Sequence, residues 1–265
     1  MTKFSNKKSL GQNFLTNGSI AQRIVASANL SENDNILEIG PGKGILTEYL
    51  AISSAHALAI EIDQRLIEPL QKQFKNIEII NEDILKIDLP KLIEGNNFQK
   101  YKVVANLPYY ITSKILRLFL ETKYPPAEMI LMVQKEVGER IVALDGKESI
   151  LSISVKFYAD PKILFEVGKE NFDPVPKVDS AVIRITRKNK IPDIDIKKLF
   201  TLVRAGFSAK RKMLINNLAN LGHPRAELSE ILKKAGIEPT VRAEKLKVED
   251  WAKLYQIFTV GQKTK

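Results

Sequence analysis

The sequence contains no cysteine in 265 residues. Disulfides, thiolate metal sites and cysteine nucleophiles are therefore excluded, and the composition fits a reducing compartment. Histidine is nearly as scarce, with only His56 and His223. A histidine-built metal centre or a Ser-His-Asp triad would have to use one of them. His56 lies in the small-residue stretch Ser53-Ser54-Ala55-His56-Ala57 ahead of an apolar run, and His223 sits in a Gly-His-Pro turn, so both read as structural. No apolar run reaches membrane-spanning length. The basic start, Met1 to Lys8, is not followed by the apolar core of a leader, so a cytoplasmic protein is expected. Acidic residues are outnumbered, 31 against 41 Lys and Arg, for a formal net charge of +10. An electropositive surface favours an anionic partner, whether RNA, DNA or an acidic membrane.

From Ile36 to about Ile185 short apolar runs alternate with amphipathic stretches, the pattern of a parallel sheet with crossover helices. Strands are expected at 35–39, 57–62, 77–81, 101–105, 127–134, 151–157 and 180–186. Helices are expected from a Ser19 cap through Val25, over 47–53 and over 64–74. The charged stretch Thr186 to Asp193, ended by a proline, reads as a linker. Beyond it apolar residues recur at helical spacing: Leu199, Leu202, Val203; Leu228, Ile231, Leu232; Trp251, Leu254, Tyr255, Phe258. The expected organisation is an α/β domain over 1–188, with a mostly parallel twisted sheet and helices on both faces, then a small all-helical domain over 189–265.

Three features of the first domain carry chemistry. The run Ile36 to Thr47 is an apolar strand, a turn with Gly40, Gly42 and Gly44, and a helix start. The Gly-x-Gly-x-Gly order departs from the Gly-x-Gly-x-x-Gly dinucleotide spacing, and Pro41 removes a backbone donor that would cradle pyrophosphate. Glu61, near the end of the second strand, stands where a carboxylate accepts ribose hydroxyls, and Asp83 follows the third strand at the height of an adenine amino group. Loop, ribose acid and adenine acid in that order suit S-adenosylmethionine better than NAD. The fourth strand stops on Asn106-Leu107-Pro108-Tyr109-Tyr110, a side-chain amide, carbonyls freed by a proline and a flat ring. Those are parts for holding a nucleobase by its amino group.

With these residues, the chain resembles the ribosomal RNA adenine dimethyltransferases, most closely the small-subunit branch, over nearly its whole length. The likeness also rests on Ser9-Leu10-Gly11-Gln12-Asn13-Phe14-Leu15, on Phe172-Asp173-Pro174-Val175-Pro176-Lys177-Val178-Asp179-Ser180 and on Phe207-Ser208-Ala209-Lys210-Arg211-Lys212. The resemblance implies a Rossmann-like class I methyltransferase fold and transfer of methyl groups from S-adenosylmethionine to the N6 amines of two adjacent adenosines in a 3′-terminal hairpin of 16S rRNA. It implies that Asn13 and Leu15 line the cofactor pocket beside Gly40, and that Asn106 lies near the reacting methyl. Asn106 and the Pro108 carbonyl would hold the substrate amine, with Leu107 between them. Tyr109 would stack on the target adenine and Phe172 would close its other face. Tyr110 stands where the family carries a smaller polar residue. Lys7, Lys8, Lys210, Arg211 and Lys212 would meet RNA phosphates. A monomer acting on a partly assembled 30S particle, without metal or membrane, is the implied setting. Three rivals remain open at this point: a large-subunit dimethylase conferring antibiotic resistance, a non-catalytic assembly or nucleic-acid-binding factor, and an amino-group DNA methylase.

Overall fold

The computed structural model describes residues 12–53, 56–98 and 100–262. The chain divides into two compact units, residues 1–139 with 159–187, and residues 140–158 with 188–265. A single boundary at 188 therefore misses an excursion: 140–158 group with the C-terminal helices.

In the first unit, β1 (Phe14–Leu15) and α1 (Gly18–Ser27) precede the repeating strands and helices. These run β2 (Asn35–Ile39), α2 (Ile45–Ile52), β3 (His56–Glu61), α3 (Gln64–Gln73), β4 (Ile77–Asn81), α4 (Leu89–Gly95) and β5 (Tyr101–Asn106). A 3-10 turn (Tyr109–Ile111), α5 (Thr112–Leu120), β6 (Glu128–Gln134) and the start of α6 (Lys135–Val142) follow. The chain returns with β7 (Ala159–Val167), β8 (Phe172–Asp173) and β9 (Ser180–Arg187). The seven-stranded sheet has the order β4-β3-β2-β5-β6-β9-β7. Neighbours are parallel from β4 to β6, and β9 runs antiparallel to both β6 and β7. The connections leave β2 towards β3 on one side and return to β5 on the other, so a crevice opens at the carboxyl ends of β2, β3 and β5.

The central strands form because they are near-continuous apolar runs buried on both faces. Ile36, Leu37, Val103, Val104 and Ala59 are fully buried. Within β2 the run is interrupted by Glu38, 1% exposed and opposite Ala59 and Val104. Helix α1 is capped by Asn17, whose side chain accepts from the Ser19 and Ile20 amides, rather than by Ser19. A second sheet of only two strands pairs Phe14 with Asp173 and Leu15 with Phe172, and Thr16 extends it by donating to the Asn171 carbonyl at 2.9 Å.

The second unit contains α7 (Ile150–Tyr158), α8 (Ile196–Gly206), α9 (Leu214–Leu218), α10 (Arg225–Ala235) and α11 (Val248–Gln262). The strand expected at 151–157 is thus a helix. Trp251, Leu199, Leu214, Leu228 and Leu254 form its buried interior. Gly206 ends α8 directly against the Trp251 ring, where a Cβ would collide. The buried amide of Asn217 donates to the Gly206 carbonyl and to the Ala209 carbonyl, the latter at 3.1 Å, and so shapes the turn leading into Lys210-Arg211-Lys212.

Candidate active site

The crevice contains a cavity of about 190 Å3. Its walls come from five stretches of the first unit: 12–15, the glycine turn, the end of β3, the loop after β4 and the segment after β5. Among the residues named from the sequence, Asn13, Leu15, Gly40, Gly42, Glu61, Asp83, Asn106, Leu107, Pro108 and Tyr109 all line it. Gly44 and Phe172 do not.

The glycine turn is held by the end of β3. The Gly40 amide donates to the Ile60 carbonyl at 2.9 Å, and the Gly42 amide donates to Glu61 Oε2 at 3.0 Å. Gly40 has φ +64°, and an added Cβ would meet nothing within 4 Å, so its backbone faces open space. Gly42, at φ +59°, abuts the Phe14 ring, 2.9 Å from where a Cβ would lie. Gly44 has a different task. It begins α2 with φ +87°, and a Cβ there would stand 2.6 Å from the Phe74 ring, so the residue is glycine for packing and turn geometry rather than ligand approach.

Glu61 is 4% exposed, and its other oxygen, Oε1, accepts the Asp63 amide at 2.8 Å. Burial raises its carboxyl above the usual carboxylate range, against the pull of those backbone donors. Asp83 Oδ1 accepts the Leu85 amide at 3.0 Å, which turns the loop after β4 along the cavity. Sequence reasoning missed Asp63. It is 1% exposed, is bound by Arg65 Nε at 2.9 Å and Nη2 at 2.6 Å, and accepts Gln12 Nε2 at 3.0 Å. The Arg65 hydrogen bonds hold its carboxyl far below the usual range. Asp63 thereby fastens the segment carrying Asn13 and Leu15 to the end of β3. The signal was available: an acid two residues after Glu61, followed at once by a polar helix start.

Asn106 ends β5, and its Nδ2 donates to the Asn13 carbonyl at 3.4 Å, leaving Oδ1 as an acceptor. The Leu107 amide is taken by the Met132 carbonyl at 3.1 Å, which fixes the turn. The Pro108 carbonyl accepts the Ile111 amide at 3.2 Å and retains a second lone pair. Tyr109 is half-buried and its hydroxyl lies 3.0 Å from Ser180 Oγ. Tyr110, at the cavity's edge, is 61% exposed.

Phe172 is 3% exposed and packs in the core with Phe14 and Leu15. Its pairing opposite Leu15 turns the ring inward, while the adjacent Asp173 reaches Lys43 of the glycine turn at 3.8 Å. Phe172, expected as a second stacking ring, therefore lies in the core and outside the lining of the cavity. Lys210, Arg211 and Lys212 are exposed on the loop between α8 and α9 of the second unit. Lys7 and Lys8 lie outside the described residues. Among the described residues no helix is long and apolar enough to cross a membrane, and no group of three His, Cys, Asp or Glu could hold a metal ion.

Glu38 lies in the sheet face beneath the turn. Burial pushes its carboxyl up to about 8; the Thr47 hydroxyl is near enough to oppose the shift but not placed for a hydrogen bond, and the Glu61 charge adds to it. The folded protein keeps a proton that the unfolded chain releases near 4.5. Wild type should therefore lose stability relative to Glu38→Gln by about 1.4 kcal/mol per pH unit from about pH 5 to about pH 8, and no further above that. Denaturant unfolding of both proteins across this range checks it, and parallel curves would disprove it.

The residues suit a nucleoside bearing a sulfonium better than a dinucleotide. The cradle opens at Gly40, two acids stand at the cavity, and Pro41 removes a donor from the turn. Comparisons with known proteins identify the family. The model of the family described as ribosomal RNA adenine dimethylase matches residues 3–260. Proteins named ribosomal RNA small subunit methyltransferase A are 43% identical in Dehalococcoides mccartyi, over 94% of this chain and 87% of the relative, and 43% identical in Enterococcus faecalis, over 95% and 90%. Among solved structures, a dimethyladenosine transferase from Plasmodium falciparum superposes with TM-score 0.81 at 26% identity, covering 94% of this chain and 98% of its own. The 23S rRNA methyltransferase ErmE superposes with TM-score 0.74 at 27% identity, covering 93% and 100%. Sheet order, glycine turn, paired acids and Asn-Leu-Pro-Tyr thus meet a family match spanning nearly the whole sequence, and the chain belongs to the ribosomal RNA adenine dimethylase family.

Proposed function

We propose that this protein transfers methyl groups from S-adenosylmethionine to the N6 amines of two adjacent adenosines in a 3′-terminal hairpin of small-subunit (16S) rRNA. The observation that carries the proposal is the meeting of Asn106-Leu107-Pro108-Tyr109 with Glu61 and Asp83 around one cavity. Glu61 would hold the ribose of the cofactor, Asp83 its adenine, and Gly40, Asn13 and Leu15 the remaining walls. When bound, S-adenosylmethionine supplies a methyl already activated by its positive sulfur.

The chain's own residues deal with the other reactant. The exocyclic nitrogen of adenine is a weak nucleophile because its lone pair is delocalised into the ring. Asn106 Oδ1 and the Pro108 carbonyl accept its two hydrogens and favour a pyramidal nitrogen whose lone pair is free to attack. As the nitrogen–methyl bond forms, the sulfur–methyl bond would break to leave S-adenosylhomocysteine and the alkylated nitrogen would give its proton to water, so that catalysis is positioning and electrostatics with no strong base. The base must leave its stack to enter the cavity, and stacking on Tyr109 offsets part of that cost.

The substrate is read as RNA in a partly assembled small subunit, and the protein as a cytoplasmic monomer. Likeness to ErmE keeps the large-subunit reading in view, but the 43% identity to small-subunit methyltransferases favours the former. The test is transfer of labelled methyl to small and large ribosomal subunits from cells lacking adenine dimethylation, with mass spectrometry of the nucleosides. Dimethyladenosine in the small subunit alone is expected. Label in the large subunit, or tight binding without transfer, would reject the proposal. Replacing Lys210, Arg211 and Lys212 together by alanine should weaken RNA binding and flatten the slope of log affinity against log salt by about 2–3, close to one unit for each phosphate that is no longer neutralised. An unchanged slope would remove this loop from the RNA interface.

A further inference from the structure

The ring of Tyr109 begins a 3-10 turn just after Pro108, and its half-buried position alone leaves more than one staggered side-chain orientation open. Its phenolic oxygen lies 3.0 Å from Ser180 Oγ. Among the described residues neither hydroxyl has another partner. Ser180 is fully buried as the first residue of β9, in register with Gln134 of β6 and Val167 of β7. The preceding residue is fixed from two sides: the Asp179 carbonyl accepts the Lys135 amide at 3.0 Å, and Asp179 Oδ1 accepts the Lys169 amide at 3.0 Å. The far end of the Tyr109 ring is therefore tied to a rigid corner where three strands of the sheet meet.

We propose that Ser180 is a positioning residue for methyl transfer, its buried hydroxyl holding the Tyr109 phenol so that the ring presents one fixed plane to the target base. This rests on the reading of Tyr109 as the stacking surface given above. Asn106 and Pro108 precede Tyr109 by three residues and one, so the plane of a stacked base sets where its exocyclic nitrogen falls relative to their oxygens. A loose ring still stacks, but the amine is presented over a range of positions, and small misplacements of a reacting atom are costly. The hydroxyl pair therefore acts on the rate of the bound complex rather than on binding.

The experiment is steady-state and single-turnover methyl transfer to small subunits by wild type, Tyr109→Phe, Ser180→Ala, the double variant and Ser180→Thr. Tyr109→Phe keeps the stacking ring and loses the tether. It should lower kcat by roughly five- to tenfold, the effect of one lost hydrogen bond, with KM for RNA within about twofold of wild type. Ser180→Ala should match it, the double variant should be no worse than either single, and Ser180→Thr should recover most of the rate. Tyr109→Ala, which removes the ring, should raise KM as well. An unchanged kcat in Tyr109→Phe, or additive losses in the double variant, would overturn the inference. So would a Ser180→Ala defect that tracks a lowered melting temperature while Tyr109→Phe is normal. If wild type transfers no methyl to RNA at all, the proposed function fails and this inference with it; full wild-type transfer beside an unaffected Tyr109→Phe rejects the inference alone.

Discussion

Asn106→Ala is expected to lower methyl transfer by about 10²–10³-fold, the usual cost of removing one oriented polar group from a reacting centre. The side chain is well placed to have so large an effect. It ends β5 at the point where the strand order reverses, its Nδ2 is committed to the Asn13 carbonyl, and its Oδ1 is left as an acceptor at the cavity. Alanine removes the acceptor and leaves the strand, which is anchored by the Leu107 bond to Met132, in place. Cofactor affinity should fall by no more than about tenfold, because the variant gives up only one side chain of the wall and the strap to Asn13. Calorimetric binding of S-adenosylmethionine together with single-turnover transfer separates the two. A variant that transfers at near wild-type rates would take Asn106 out of the reacting centre.

Glu61→Gln is expected to weaken S-adenosylmethionine binding by about 100-fold. The carboxylate accepts two backbone amides, from Gly42 and Asp63, while almost fully buried. An amide of the same shape has one acceptor, so its NH2 group must face a backbone N–H. A buried donor left without a partner costs about 1–3 kcal/mol, and the turn that carries Gly40 and Gly42 is what loses its hold. In the proposed site the cofactor's ribose would lose a charged acceptor in the same step. Equilibrium binding measures the combined effect. An affinity within threefold of wild type would show that neither the turn nor the ribose depends on this carboxylate.

Much of the sheet was legible because parallel central strands are continuous apolar runs, and β2 and β4 begin and end where their sequences say. The failures have local causes. Residues 151–157 alternate apolar and polar with a period of two, yet form α7, whose start is capped reciprocally: Ser149 Oγ accepts the Ser152 amide at 3.1 Å and Ser152 Oγ accepts the Ser149 amide at 2.7 Å. β7 was invisible because it is a mixed-polarity edge strand interrupted by Pro161, which only an edge tolerates. The pairing of β1 with β8 involves two residues each, too short for any periodicity. That same pairing sets Phe172 in the core, a placement that an aromatic beside a proline-rich turn does not announce. Gly40, Glu61, Asp83 and Asn106, which line the cavity, were easier to place than these because each ends or follows an apolar strand.

The small ladder between β1 and β8 also makes the cavity a late product of synthesis. A ribosome that has released the chain only as far as residue 160 has delivered the glycine turn, both acids and Asn106. What it has not delivered is the strand against which Phe14 and Leu15 pair, or the β9 strand that separates β6 from β7 and carries Ser180. The wall containing Asn13 is among the first parts of the site to be made and is tied early to Asp63 and Asn106, but its strand partner β8 is among the last to arrive. Cofactor affinity should therefore reach its full value only when about two thirds of the chain is out and β8 has paired with Phe14 and Leu15.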